Sequence, residues 1–238
     1  MPAAARSLDF ANHHANATAD DIRALAADVV KYGFHTAFVN PAYVKLAKSL
    51  LGSHAKVGCV ISFPLGADEP SIKMAAANKA VSDGADELDI VANLGLYVSG
   101  DKEGFIKEMT DIVESARIYG KPVVVKFILD PGYFDTLSNK KEAMQEVAMC
   151  IQQTGADFVK IGSGMGPRGP TIEDVTIVKE AVPGMNIKVA GGIDTREEAE
   201  KFLNAGAVRI GTSHAIDIVL GKKQEVQSTS PAPLRNAE

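Results

Sequence analysis

Eight short runs of strand-forming residues alternate with longer helical runs along this 238-residue chain, and no other feature constrains its fold as tightly. The runs cover 7–11, 34–39, 56–63, 86–92, 122–129, 157–162, 186–190 and 207–211. A helix between two strands carries the chain back to the end where the first strand began, so the strands pair in parallel. Eight such units predict a closed (β/α)₈ TIM barrel in a single domain. A doubly wound open sheet is the alternative that the pattern alone leaves. Helix starts are legible as well. Thr18 stands ahead of Asp20, Asp21 and the apolar stripe Ile22, Leu25, Ala26 and Val29, while Asp194 and Thr195 stand ahead of Glu197 and Glu198. The barrel is expected over residues 1–220. Residues 221–238 are rich in Ser, Pro, Gln and Lys with almost nothing apolar, and are expected to form a mobile tail.

Charge and cysteine usage exclude several function classes. The formal net charge is −5, from 30 acidic and 25 basic residues, which leaves no basic footprint for nucleic acid or an anionic membrane. No apolar run approaches the roughly 18 residues of a membrane span, and the first residues lack the apolar stretch of a secretory signal. Cys59 and Cys150 lie in apolar segments without metal-type spacing and read as buried thiols. The expected location is cytoplasmic. A homo-oligomer is left open.

Strand side chains alternate between the barrel interior and the helix layer. Leu88 and Ile90 share a face, which turns Asp89 the other way. Val123, Val125, Phe127 and Leu129 likewise leave Lys126 opposite, Val159 and Ile161 turn Phe158 and Lys160 inward, and Ile187 and Val189 turn Lys188 inward. Asp9 in the first strand adds a second carboxylate. Burying charge costs several kcal/mol unless it is paired. The plain alternative is a plug of salt bridges, with Lys126 and Lys188 neutralised by Asp89 and Asp9. Against it, apolar side chains would fill a barrel at lower cost, and active sites in this fold draw on several strands at once. Adjacent lysines also have a chemical use. A nearby cation pushes an amine toward its neutral, nucleophilic form, which attacks a carbonyl to give a Schiff base. A neighbouring carboxylate can then move protons.

The chain resembles the deoxyribose-phosphate aldolases, class I aldolases built on this barrel. The likeness runs from about Leu8 to about Val219. It rests most on Gly84-Ala85-Asp86-Glu87-Leu88-Asp89, Gly155-Ala156-Asp157-Phe158-Val159-Lys160 and Lys188-Val189-Ala190-Gly191-Gly192-Ile193. Phe63-Pro64-Leu65-Gly66-Ala67 and Arg209-Ile210-Gly211-Thr212-Ser213 support them. The resemblance implies that Lys160 is the Schiff-base lysine, that Lys188 lowers its pKa, that Asp89 shuttles protons with a water, and that Lys126 supports the cluster. It further implies reversible cleavage of 2-deoxy-D-ribose 5-phosphate to acetaldehyde and D-glyceraldehyde 3-phosphate, with no metal and no organic cofactor. Gly164, Gly191, Gly192, Gly211 and Ser213 would hold the phosphate, helped by backbone N–H groups at the starts of the following helices. Some positions depart from the pattern. Ile161 and Gly162 stand where hydroxyl side chains are usual, Phe10 stands where a polar one is usual, and Asp130-Pro131 replaces Glu-Thr. A related aldolase with another aldehyde preference, and a barrel that binds without catalysing, are the competing readings.

Two further signals carry less weight. Gly164-Met165-Gly166-Pro167-Arg168-Gly169 matches a dinucleotide fingerprint, but Pro167 and Pro170 interrupt it and the next helix is expected only near Thr171. It reads as a loop over phosphate, with Arg168 assisting, or as a plain surface loop. His13, His14, His35, His54 and His214 show no metal-ligand spacing, so no metal is expected. His214, next to Ser213, is expected to be a helix-start residue without a role.

Overall fold

The computed structural model describes residues 3–221, so the expected tail lies outside the described residues from position 222 onward. Eight parallel strands close into a barrel in chain order. They are β1 (Leu8–Asn12), β2 (Thr36–Val39), β3 (Lys56–Ile61), β4 (Glu87–Val91), β5 (Val124–Leu129), β6 (Phe158–Ile161), β7 (Asn186–Ala190) and β8 (Arg209–Thr212). Around them run α1 (Ala19–Tyr32), α2 (Val44–Leu51), α3 (Pro70–Asp83), α4 (Leu94–Val98), α5 (Lys102–Ala116), α6 (Lys140–Gln153), α7 (Ile172–Ala181), α8 (Arg196–Ala205) and α9 (Ala215–Leu220).

The hydrophobic core is the ring between strands and helices. Leu88, Ile90, Val125, Phe127, Val159, Ile161, Ile187 and Val189 all face it, as their alternation predicts. Each such side chain gains about 2 kcal/mol on burial, which holds the barrel together while its centre carries charge. Phe38, Val60, Ile128 and Phe158 are equally buried but stand apart from that ring, inside the barrel. Thr18, Thr171 and Thr195 cap α1, α7 and α8 in reciprocal capping boxes with Asp21, Asp174 and Glu198. Each cap contributes about 1 kcal/mol.

Several strands are shorter than the sequence indicates. β2 starts at Thr36 because Phe34 sits in the approach to the strand, where its ring packs 5.4 Å from Phe10 and 5.6 Å from Tyr32. β3 stops at Ile61, which frees Phe63 for the mouth of the barrel. An apolar residue at a strand end looks like strand whether it pairs or merely packs. Cys59 and Cys150 are free, buried thiols. No helix among the described residues is long and apolar enough to cross a membrane.

Candidate active site

Strand pairing brings the ionisable side chains together. Lys160 on β6 stands opposite Lys188 on β7, and Asp89 on β4 stands opposite Lys126 on β5. All four are buried, and Asp9 on β1 is buried with them. Asp89 is the hub. Its Oδ2 lies 2.9 Å from Lys160 Nζ and accepts a hydrogen bond from Lys188 Nζ at 2.8 Å, while its Oδ1 lies 3.1 Å from Lys126 Nζ. Lys188 also reaches Asp9 at 2.7 Å. Gly211 allows this, since a Cβ there would stand 3.0 Å from Lys188 Cε. The pairing of Lys126 with Asp89 and of Lys188 with Asp9 that the sequence left as the plain alternative is therefore present, and Lys160 shares it.

Three groups below this layer were not singled out in the sequence. Glu87 accepts a hydrogen bond from Lys126 at 2.6 Å, and Arg209 donates to Asp9 at 2.8 Å and contacts His35. Glu87 lies two residues before Asp89 on the same inward face, so alternation could have found it. Phe38 completes the floor, its ring centroid 3.6 Å from Lys188 Nζ and 4.9 Å from Lys126 Nζ. Gly58 leaves space for that ring, because a Cβ there would come within 2.4 Å of it. Asp9, His35 and Glu87 form the one group of potential metal ligands found among the described residues. The Arg209 guanidinium already lies among them, 2.8 Å from Asp9 and 3.6 Å from Glu87.

The electrostatics of the cluster single out Lys160. Burial outweighs its bond to Asp89 and, with the Lys188 charge, pushes the amine from 10.5 down to about 8. Sequence reasoning credited the neighbouring lysine with this shift; in the structure burial is the larger cause. Lys126 behaves oppositely. Burial alone would lower its pKa, but Asp89, Glu87 and Asp9 more than offset that and raise it, which keeps Lys126 charged. Burial disfavours an ionised Asp89, yet Lys126, Lys160 and Lys188 together hold the carboxyl well below its ordinary range. Among the described groups of this cluster, three carboxylates (Asp9, Glu87, Asp89) meet four cations (Lys126, Lys160, Lys188, Arg209). The charges balance when one amine gives up its proton, and Lys160 is the one poised to do so.

Above the cluster, at the C-terminal ends of the strands, opens a cavity of about 180 Å³. Lys160 and Lys188 line its floor. Asp89, Lys126 and Asp9 are not among the lining residues and act from below. Gly164, Gly191, Gly192, Gly211 and Ser213, the expected phosphate residues, all line it. The β6 and β7 loops touch there, since a Cβ on Gly191 would stand 2.8 Å from Gly164 Cα. The cavity also takes in Phe63, Thr212, Asp194 and two histidines discounted from the sequence, His13 and His14. Burial, followed by the Lys160 charge, lowers His13 to about 3 and keeps its ring neutral. Histidine spacing along the chain carries no sign of this, because both residues sit in the loop after β1.

Arg168, the cation expected to assist at the loop, is held by two carboxylates of the protein. Its guanidinium donates to Asp135 at 2.5 and 3.1 Å, to Asp174 at 2.7 and 3.0 Å, and to Gly169 O at 2.8 Å. At the start of the same loop, Ser163 donates its backbone N–H, at 3.2 Å, and its hydroxyl to Asp130, which directly follows β5. His214 Nδ1 lies 2.9 Å from Asp194 Oδ1, so it has a partner that the sequence did not indicate.

A closed parallel barrel with an amine of depressed pKa at the floor of its mouth, set between a second lysine and a carboxylate, has the architecture of an enzyme acting on carbonyl compounds. Comparison with known proteins makes the class specific. Residues 4–219 match the family described as DeoC/LacD family aldolase. A deoxyribose-phosphate aldolase from Thermococcus gammatolerans is 40% identical over 223 residues, covering 92% of this chain and 96% of that one. A solved structure titled "QR15, an Aldolase" has a TM-score of 0.85 at 34% identity, over 92% of this chain and 96% of the other. The Aeropyrum pernix deoxyribose phosphate aldolase, described as a unique tetrameric structure, has a TM-score of 0.82 at 30% identity, over 91% and 89%. The chain belongs to the DeoC/LacD aldolase family and is a class I aldolase, a carbon–carbon lyase whose substrates are small molecules.

Proposed function

We propose that this aldolase reversibly cleaves 2-deoxy-D-ribose 5-phosphate to acetaldehyde and D-glyceraldehyde 3-phosphate through a Schiff base on Lys160. The observation that carries the reading is the Lys160 amine, lowered to about 8 at the cavity floor and held 2.9 Å from Asp89. In its neutral form the amine adds to the C1 aldehyde of the open-chain sugar, and loss of water leaves an iminium. Removal of the C3 hydroxyl proton then breaks the C2–C3 bond. Its electron pair moves onto C2 to form an enamine, and glyceraldehyde 3-phosphate leaves. Protonation of C2 and hydrolysis of the iminium release acetaldehyde and restore the amine. Asp89, ionised at rest, is suited to accept and return protons, and Lys188 holds it in place through their 2.8 Å bond. Lys126 and Asp9 anchor Asp89 and Lys188 from below. Gly164, Gly191, Gly192, Gly211 and Ser213 form the end of the cavity that would receive C5.

Incubation with acetaldehyde and a hydride donor should add one small adduct to Lys160, located by peptide mass spectrometry. An adduct on Lys188 or Lys126 instead would overturn the assignment. Activity is also expected to survive exhaustive EDTA treatment, because an iminium supplies the electron sink that a metal would otherwise provide. Loss on chelation, with recovery on adding zinc, would refute this and direct attention to Asp9, His35 and Glu87.

A further inference from the structure

The glycine-lined end of the cavity is unexpectedly poor in positive charge. Among the described lining residues the lysines are Lys160 and Lys188, both already engaged by Asp89, and none is an arginine. His13 is held neutral, and His14 lies exposed at the rim. Arg168, the cation carried by the β6 loop, is fully committed to Asp135, Asp174 and Gly169 O. The start of α8 is similarly engaged, since the Glu198 carboxylate accepts the backbone N–H groups of Asp194 and Thr195, each at 3.0 Å. The acidic group that this end offers is Asp194, which directly follows Gly191-Gly192-Ile193 and lines the cavity. Its side chain is 34% exposed, and one oxygen is held 2.9 Å from His214 Nδ1.

We infer that Asp194 is a specificity-determining residue that disfavours a phosphate dianion here, so that the enzyme takes unphosphorylated 2-deoxy sugars and their hydroxyaldehyde products at least as well as the 5-phosphates. The inference rests on the Schiff-base aldolase reading and refines its substrate class. A phosphate monoester carries close to two negative charges near neutral pH and, so ionised, has no proton to donate. Against a carboxylate it meets repulsion. A terminal hydroxyl has a proton to give and forms a charge-assisted hydrogen bond with the same carboxylate.

The test compares kcat/KM for cleavage of 2-deoxyribose and of its 5-phosphate, following the acetaldehyde that both release. In the wild-type enzyme the phosphate-to-sugar ratio is expected not to exceed about one. Asp194→Asn keeps the shape and removes the charge. It should raise the ratio about tenfold through KM for the phosphate, the change that about 1.4 kcal/mol of lost repulsion produces. Borohydride trapping of acetaldehyde, which has no phosphate, should be the same in both proteins. A wild-type preference for the phosphate of about a hundredfold, or a ratio that Asp194→Asn leaves unchanged, would overturn the inference while trapping still upheld the aldolase reading. Failure of the wild type to trap acetaldehyde would overturn that reading and the inference with it.

Discussion

Replacing Lys160 with leucine is expected to abolish turnover and acetaldehyde trapping at every pH while making the protein more stable. No neighbour can substitute as nucleophile. Lys126 is bound to Glu87 and Asp89 with its pKa raised, and Lys188 is shared between Asp9 and Asp89. The loss should therefore reach at least about 10⁴-fold, the scale on which removing a covalent nucleophile operates. The gain in stability comes from the same shift that makes the amine reactive. A lysine lowered from 10.5 to about 8 binds its proton more weakly in the folded protein than in the unfolded chain. Below about pH 8 that difference opposes folding in full. It diminishes as pH rises and is gone above the unfolded value near 10.5. Removing the amine should return up to about 3 kcal/mol at neutral pH, less whatever its bond to Asp89 was worth. For a protein of this size that is a rise of roughly 5–10 °C in Tm at pH 7, narrowing toward pH 10.5. Thermal melts at both pH values measure it. An equal or lower Tm at pH 7 would mean that the wild-type amine sits comfortably charged, against the proposed mechanism.

Lys188→Leu is expected to change the shape of the pH–rate profile as well as its height. Taking away a like charge lets the Lys160 pKa rise. It also leaves Asp89 Oδ2 to Lys160 alone, where it was shared between two amines, and this pushes in the same direction. Each unit of rise lowers the neutral fraction about tenfold well below the pKa, and raising the pH should recover part of the loss. The profile should not return fully to that of a free lysine, because burial, the larger cause of the shift, remains. Lys188→Arg keeps the charge but displaces it and should fall between. Asp9 retains Arg209 at 2.8 Å, so circular dichroism should find the variant folded. A wild-type profile merely scaled down would show that Lys188 works by position or proton transfer and not by charge.

The inward direction of Lys126, Lys160, Lys188 and Asp89 was readable because a strand has a period of two and the intervening residues are plainly apolar. The same period, applied two residues further back, also reaches Glu87. The partnerships were not readable. Lys188 meets Asp9 and Asp89, and Arg209 meets Asp9, across a closed barrel whose register no local pattern encodes. Phe38 gave no sign of itself for a different reason. An aromatic residue in a strand is as good a core residue as a floor for ammonium groups, and only the glycine across from it at position 58 decides between the two. The rim was harder still. His13, His14 and Asp194 follow strand ends, where the backbone leaves the pleat and side-chain direction loses its period. Arg168 illustrates the converse, since a cation beside glycines looked available until Asp135 and Asp174 were seen to hold it.

That hold on Arg168 bears on the tempo of catalysis. The loop after β6 is fastened near its start by Ser163 to Asp130, farther along by Arg168 to Asp135 and Asp174, and in between it abuts Gly191 of the β7 loop. Folding this loop open would break several charge-assisted bonds at once, among them those of Arg168 to the buried Asp174. The entrance on this side therefore behaves as a fixed orifice and not as a flap. Under the proposed mechanism, reactants then reach the Lys160 amine without a loop-opening step on this side.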